Sequence, residues 1–313
     1  MKKNFFIGTW ALLLIAMLAA GCNTSTQVKN PLKGANITNL SYGTDAQQTL
    51  DISIPSGIGA ATAIVYIHGG SYISGDKAEM VSFLNDYKPK VIVASINYRL
   101  VVPSAQNNVH IDEMLADVGS ALGKIKQTAR ENGVGVSKVI LMGHSAGAHL
   151  SLLYGYKYFP QDNNSAIPIA ACVSLAGPTD FTDDIGWTSG EFSLPELSGL
   201  ASALTGQMVI ITQNDYTQQS NYETFRAAAE TISPAYYVSQ SKGVPPTIMV
   251  HAEGDNTVPY SNSARLNTAL NSTNIVHQLL TPTDIVGDKH SLGLHSNPPP
   301  SWIAAVQAFI ETR

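Results

Sequence analysis

The stretch that decides the fold is Val139-Ile140-Leu141-Met142-Gly143-His144-Ser145-Ala146-Gly147. Its first four residues are apolar and predict a buried strand, and the residues that follow Gly147 continue as a helical run. The glycines two positions before and after Ser145 lack side chains, so the strand and the helix can approach each other closely. The pattern therefore predicts a sharp strand-to-helix turn, the nucleophile elbow, which exposes the serine oxygen at the carboxyl edge of a sheet.

Outside this turn, short apolar runs alternate with helical patterns, and the first two strands are expected to form a hairpin-like edge. Such alternation predicts an α/β domain with a mostly parallel sheet. The predicted strands are residues 37–42, 49–54, 63–68, 91–98, 138–142, 170–175, 247–253 and 275–280. A helix is predicted from apolar residues at steps of four and three, namely Ile111, Leu115, Val118, Leu122 and Ile125. Further helices are predicted at 146–158, 221–229, 261–270 and 302–311.

A second glycine-containing turn, His68-Gly69-Gly70-Ser71-Tyr72, follows the strand predicted at 63–68. Glycine lets backbone amides face a ligand, and a serine nucleophile needs such donors for the oxyanion that its attack creates. We therefore expect an oxyanion hole from the N–H of Gly70 or Ser71 and the N–H of Ala146. An ordinary glycine turn is the alternative, and His68 itself is expected to be structural.

The N-terminus has the layout of an export signal followed by a lipid attachment site. Two lysines precede an apolar run of sixteen residues, 5–20, whereas a membrane-spanning helix needs about 20. The run ends in Leu18-Ala19-Ala20-Gly21-Cys22, which resembles the lipobox of bacterial lipoproteins, where cleavage leaves a lipidated cysteine as the first residue. We expect Cys22 to anchor the protein to a bacterial membrane in the cell envelope. The expected divisions are a signal peptide at 1–21, a tether at 22–35 and a folded domain at 36–313.

The composition narrows the functional classes. With 18 Lys and Arg against 23 Asp and Glu, the net charge of −5 argues against a nucleic-acid partner. Cys22 and Cys172 are the only cysteines and Cys172 lies in an apolar run, so no structural disulfide is expected. No His-x-x-x-His, Cys-x-x-Cys or nucleotide-binding pattern occurs in the sequence. We therefore expect neither a metal nor a cofactor.

Several motifs together resemble the esterases of the α/β-hydrolase superfamily. They include His-Gly-Gly-Ser-Tyr-Ile-Ser-Gly-Asp-Lys (68–77), Ile-Asn-Tyr-Arg-Leu (96–100) and Gly-His-Ser-Ala-Gly-Ala-His-Leu (143–150). The chain is most similar to the branch of carbohydrate-acting esterases and kynurenine-formamidase-like enzymes, over residues 36–313. Two departures are Ser71, where the branch often has glycine, and His144, where hormone-sensitive-lipase-like enzymes have aspartate. The resemblance implies the α/β-hydrolase fold, with a mostly parallel eight-stranded sheet flanked by helices.

This fold orders its catalytic residues as serine, acid, histidine, so the general base is sought near the C-terminus. His290 lies in a loop after the last predicted strand, where the family places its catalytic histidine, and His295 is the alternative. The run 251–259 resembles the family's acid loop and offers Asp255 as the acid. Its carboxylate would hold the imidazole and stabilise the imidazolium that forms when Ser145 loses its proton. Weaker rivals for this role are Asp180 and Glu253.

An insertion of about fifty residues, 181–232, separates the sixth strand from the run that leads to the seventh. Extra residues at this position often form a cap. We expect a lid that shapes the substrate pocket and includes Trp187. The alternative is a surface excursion that packs on the domain.

These observations predict a serine carboxylic-ester hydrolase that works through an acyl-enzyme. The expected partners are a small-molecule or polysaccharide-derived ester, with short acyl or carbohydrate-linked esters as substrates, and the membrane through the lipid anchor. The alternatives are a non-catalytic binding lipoprotein on a hydrolase scaffold, an arylformamidase, or an exopeptidase of the same fold.

Overall fold

A computed structural model of the protein describes residues 34–101, 108–160, 166–188, 193–208, 219–241, 243–294, 296 and 300–313. The strands in these residues are β1 (Ala35–Ser41), β2 (Thr49–Ile54), β3 (Ala60–Ile67), β4 (Ile92–Ile96), β5 (Gly135–His144), β6 (Ile169–Leu175), β7 (Thr247–Val250) and β8 (His277–Leu280). The α-helices are α1 (Ile111–Glu131), α2 (Ala146–Tyr158), α3 (Asp184–Thr188), α4 (Leu194–Thr205), α5 (Gln219–Thr231), α6 (Pro234–Gln240), α7 (Ser261–Asn271) and α8 (Trp302–Glu311). Two 3₁₀ helices, Lys77–Glu79 and Ser82–Tyr87, follow β3.

The strands form one sheet in the order β1-β2-β4-β3-β5-β6-β7-β8. The pairs β1–β2 and β2–β4 are antiparallel, and every pair from β4–β3 to β7–β8 is parallel. This mostly parallel sheet with flanking helices confirms the predicted α/β-hydrolase fold. Because the carboxyl ends of parallel strands meet at one edge, the loops after β3, β5, β7 and β8 lie on the same side of the sheet.

Strand β5 shows why the sheet lies at the centre of the protein. Val139 and Leu141 contribute to the core on one face, while Ile140 and Met142 contribute to the core on the other. All four are fully buried, as expected for a parallel strand with helices on both sides. Helices α1, α2 and α7 cover the first face, and α8 with the second 3₁₀ helix covers the other. Burying each such side chain stabilises the fold by about 1.5–3 kcal/mol.

The described parts of the insertion, 181–188, 193–208 and 219–232, pack into the core on the α1 and α2 side of the sheet. Trp187 of α3 is 1% exposed, and its ring stacks on Phe181 with centroids 5.4 Å apart. Trp187 is thus part of the packed interior of this segment. Whether the segment moves as a lid remains a prediction.

Residues 1–33, including the predicted signal peptide and Cys22, lie outside the described residues. The first strand begins at Ala35, one residue before the predicted start of the folded domain. Across the part of the chain that the structure describes, no helix combines the length and apolar character needed to cross a bilayer.

Candidate active site

Ser145 occupies the predicted turn between the end of β5 and the start of α2. Its backbone has φ 53° and ψ −123°, a left-handed conformation that costs energy in a residue with a side chain. Two hydrogen bonds hold it there, because its N–H donates to the Leu175 carbonyl at 2.8 Å and its carbonyl accepts the His149 N–H at 3.1 Å. The turn is therefore fixed by the neighbouring strand β6 and by the first turn of α2.

The two glycines of the motif are required by close backbone contacts. A Cβ atom on Gly147 would lie 2.0 Å from the carbonyl oxygen of Ile67 at the end of β3. A Cβ atom on Gly143 would lie 2.3 Å from the carbonyl carbon of Gly147. The obstacles are backbone atoms, which cannot rotate away as a side chain could. The absence of side chains at both positions therefore allows α2 to begin directly against β3 and β5.

Replacing Gly147 with alanine is expected to lower the free energy of unfolding by about 3 kcal/mol, because overpacking a tight core contact displaces the backbone. The measurement is chemical denaturation followed by circular dichroism. Gly123 of α1 is the matched control, since a Cβ atom there meets nothing within 4 Å. Gly123→Ala is expected to raise stability by about 0.5–1 kcal/mol through helix propensity. Equal effects at the two glycines would contradict the steric explanation.

His290 connects Ser145 to Asp255 through its two ring nitrogens. Its Nε2 lies 2.9 Å from Ser145 Oγ, and its Nδ1 lies 2.8 Å from Asp255 Oδ2. A carboxylate only accepts hydrogen bonds, so Nδ1–H donates to Asp255 and Nε2 can accept the serine O–H. The three predicted residues therefore form one hydrogen-bonded line.

Asp255 is held by groups that favour its charged form. Its Oδ1 accepts the N–H groups of Thr257 and Val258, each at 2.9 Å, and its Oδ2 lies 3.1 Å from His251 Nε2 as well as near His290. Burial alone would raise the pKa of this carboxyl, but the hydrogen bonds from His251 and His290 outweigh it and hold the pKa well below its usual range. Asp255 is therefore an anion at neutral pH.

The other candidates for the acid were Asp180 and Glu253, and the other candidate for the base was His295. Asp180 accepts from Arg265 Nε at 2.6 Å and from the Thr182 hydroxyl, and Glu253 is exposed. His295, the alternative base, lies outside the described residues. His68 stacks on Tyr98 with ring centroids 4.5 Å apart. Within the described ranges, no group of three His, Cys, Asp or Glu side chains could hold a metal ion.

The loop after β3 lies against the nucleophile. A Cβ atom on Gly69 would be 3.2 Å from Ser145 Cβ and 3.1 Å from the His144 carbonyl oxygen. The next three residues, Gly70, Ser71 and Tyr72, have φ angles of 105°, 52° and 67°. Gly69, next to the predicted donor Gly70, thus lies against Ser145, and Ala146, the other predicted donor, is the first residue of α2.

Two partnerships in the site were missed by the sequence reasoning. His251 shares Asp255 with His290, and its spacing of four residues from Asp255 was the available signal. His149 contacts the Tyr72 hydroxyl, a pairing of residues 77 positions apart that no local pattern reveals.

Comparisons with known proteins agree with this fold. The family BD-FAE matches residues 50–270. Isoprenylcysteine alpha-carbonyl methylesterase ICME of Arabidopsis thaliana is 24% identical over 253 residues, which are 76% of this chain and 53% of the relative. The chain therefore spans about half the length of this curated relative.

Among solved structures, esterase B from Lactobacillus Rhamnosis is similar with a TM-score of 0.66 and 17% identity, over 90% of this chain and 85% of that one. A truncated carbohydrate esterase from gut microbiota is similar with a TM-score of 0.63 and 18% identity, over 86% of this chain and 93% of that one. At these identities the likeness shows a shared fold. The family match, by contrast, covers more than half of the chain, and the protein therefore belongs to the BD-FAE family.

Proposed function

We propose that the protein is a serine hydrolase of carboxylic esters. The observation that carries the proposal is the hydrogen-bonded line from Ser145 through His290 to Asp255. It combines a nucleophile, a base within hydrogen-bond reach and an anion that orients the base, which are the parts that acyl transfer requires. The comparisons support the same class, since the relatives named above are a methylesterase and two esterases.

In this mechanism Ser145 Oγ attacks the ester carbonyl carbon while its proton passes to His290 Nε2. The carbonyl π electrons move onto oxygen, and the N–H groups of Gly70 or Ser71 and of Ala146 stabilise the resulting oxyanion. Collapse of the tetrahedral intermediate breaks the bond to the alcohol, which takes the proton from His290. Water then attacks the acyl carbon while its proton passes to His290 Nε2. Collapse of the second tetrahedral intermediate breaks the bond to Ser145 Oγ, which takes the proton back from His290, and the carboxylic acid is released.

The ionised Asp255 supplies two contributions to these steps. It accepts Nδ1–H and so keeps Nε2 free to receive the serine proton. Its negative charge also stabilises the imidazolium that forms in each half-reaction. Its second partner, His251, lies 3.1 Å from the same carboxylate oxygen and favours the ionised form of Asp255.

We propose short acyl esters or carbohydrate-linked esters as the substrate class, and a lipid anchor on Cys22 that holds the enzyme at a membrane of the bacterial cell envelope. The motifs that resemble carbohydrate-acting esterases and the carbohydrate esterase among the similar structures support the substrate class. An enzyme anchored there would meet extracellular polymers or their fragments.

The test combines turnover with covalent labelling. The purified protein is expected to hydrolyse p-nitrophenyl esters, fastest at the acetate and butyrate end of a series to octanoate. A fluorophosphonate probe is expected to add one adduct to Ser145, located by peptide mass spectrometry. A well-folded protein that neither turns over these esters nor reacts with the probe would overturn the hydrolase proposal in favour of a binding protein on the same scaffold.

A further inference from the structure

The loop that would supply the oxyanion donors is held in an unfavourable backbone conformation. Gly70, Ser71 and Tyr72 all have positive φ angles, and two of them are not glycine. Left-handed backbone at residues with side chains persists only where surrounding contacts enforce it. The contacts of the buried Tyr72 therefore decide where the amide groups of this loop lie.

Tyr72 is the buried end of this loop. Its side chain is 3% exposed, and its hydroxyl lies 2.8 Å from Nδ1 of His149. Its backbone carbonyl also accepts the N–H of Val101 at 2.9 Å. The side chain and the main chain of Tyr72 are thus fixed on two sides, directly after Ser71.

His149 connects Tyr72 to the end of the insertion. It is fully buried, and its Nε2 lies 2.6 Å from the carbonyl oxygen of Ile232. Because a carbonyl only accepts, Nε2 carries the hydrogen, and Nδ1 accepts the hydrogen bond from the Tyr72 hydroxyl. Burial lowers the pKa of His149 to about 4, so at neutral pH the ring is in the neutral form that this pattern requires.

The same ring contacts the start of the insertion. Phe181 packs edge-on against His149 with ring centroids 5.2 Å apart, and Trp187 of α3 stacks on Phe181 with centroids 5.4 Å apart. His149 lies on α2, four residues after Ser145. One buried imidazole therefore touches the glycine loop, the helix that begins at the nucleophile, and both ends of the 181–232 insertion.

We propose that Tyr72 and His149 are positioning residues, which hold the amides of Gly70 and Ser71 at the distance from Ser145 that an oxyanion needs and couple this loop to the insertion. The inference rests on the proposed function, because an oxyanion forms only if Ser145 attacks a carbonyl. Preorganised donors act on the transition state more than on the bound ester. We call the hydrogen-bonded pair of Tyr72 and His149 the relay. Its loss therefore lowers kcat and leaves KM nearly unchanged.

Tyr72→Phe tests the relay by removing one oxygen atom. We expect kcat for p-nitrophenyl acetate to fall about 10- to 100-fold, less than the loss of a whole oxyanion donor, with KM changed by less than about threefold. The inhibition constant of an alkyl trifluoromethyl ketone, whose adduct with the serine is a tetrahedral oxyanion, should rise by the same factor as kcat/KM falls. A purely structural role of the hydroxyl would lower the melting temperature without moving these two quantities together.

Tyr156→Phe is the matched control, since Tyr156 is also fully buried on α2 and its hydroxyl bonds Thr247 Oγ1 at 2.9 Å, away from the loop. It should leave kcat and the ketone inhibition constant within about twofold of the wild type, as expected for a site that shares no partner with the loop.

His149→Phe removes both hydrogen bonds of the imidazole. Adding Tyr72→Phe to it should cost little further activity, because the two residues act through one contact.

The outcomes separate this inference from the proposed function. If the wild type hydrolyses esters and is labelled at Ser145 but Tyr72→Phe keeps its kcat and its ketone affinity, the relay is wrong and the hydrolase proposal stands. Equal losses in Tyr72→Phe and Tyr156→Phe would also overturn the relay. A wild type without turnover or labelling overturns both.

Discussion

Replacing Ser145 with alanine is expected to lower kcat for ester hydrolysis by about 10⁶-fold, the size of the loss when a serine nucleophile of this kind is removed. The change deletes the oxygen that His290 Nε2 contacts at 2.9 Å and leaves no other hydroxyl in the hydrogen-bonded line. Stability should change little, because Ser145 is small and alanine at φ 53° is no more strained than serine. The measurement is kcat on p-nitrophenyl acetate with the melting temperature recorded in parallel.

Ser151→Ala is the matched control for this loss. Ser151 is a buried serine on α2, the helix that follows Ser145, and its hydroxyl donates to the Gly147 carbonyl at 2.8 Å. Its loss is expected to lower stability by about 1 kcal/mol and to leave kcat within a few-fold. If Ser145→Ala kept a tenth of the wild-type activity, or if the probe reacted with another residue, the nucleophile would have to be sought elsewhere.

Local signals made the turn around Ser145 predictable. The apolar strand, the paired glycines and the helical run lie within about twenty consecutive residues, so their meaning does not depend on distant contacts. Helices α2 and α8 begin and end at the predicted residues for the same reason. Strand β5 is longer than predicted, Gly135–His144 instead of 138–142, because pairing with β3 and β6 on both sides extends it beyond its apolar centre.

The line of Ser145, His290 and Asp255 could also be anticipated, although the residues are far apart in sequence. Ser145 follows β5, Asp255 lies in the loop after β7, and His290 lies in the loop after β8. Loops at the carboxyl ends of parallel strands converge on one edge of the sheet. Side-chain partnerships inside that edge are different. The hydrogen bond from Tyr72 to His149 depends on rotamers and on packing between segments 77 residues apart, for which one sequence holds no periodic signal. For the hydrogen bond from His251 to Asp255, the spacing of four residues was the one local signal.

The identity of the acid is decided by comparing two aspartates. Asp255→Asn is expected to lower kcat by about 10⁴-fold. An asparagine amide can donate to Nδ1 of His290, which moves the imidazole hydrogen to Nε2, where it blocks acceptance of the serine proton. The carboxylate charge that stabilises the imidazolium is lost as well. The hydrogen bonds to Oδ1 from Thr257 and Val258 can persist to the asparagine oxygen, so the loop should keep its shape.

Asp180→Asn is the counterpart, because Asp180 follows the neighbouring strand β6 and is also buried. Its carboxylate pairs with Arg265, whose side chain is half-exposed, so the substitution should cost about 1 kcal/mol or less of stability. With no contact to the imidazole, it should leave kcat within about threefold, as for a site outside the catalytic unit. Parallel pH–rate profiles for both variants complete the comparison. A large loss in Asp180→Asn together with an active Asp255→Asn would transfer the role of the acid from the loop after β7 to the loop after β6.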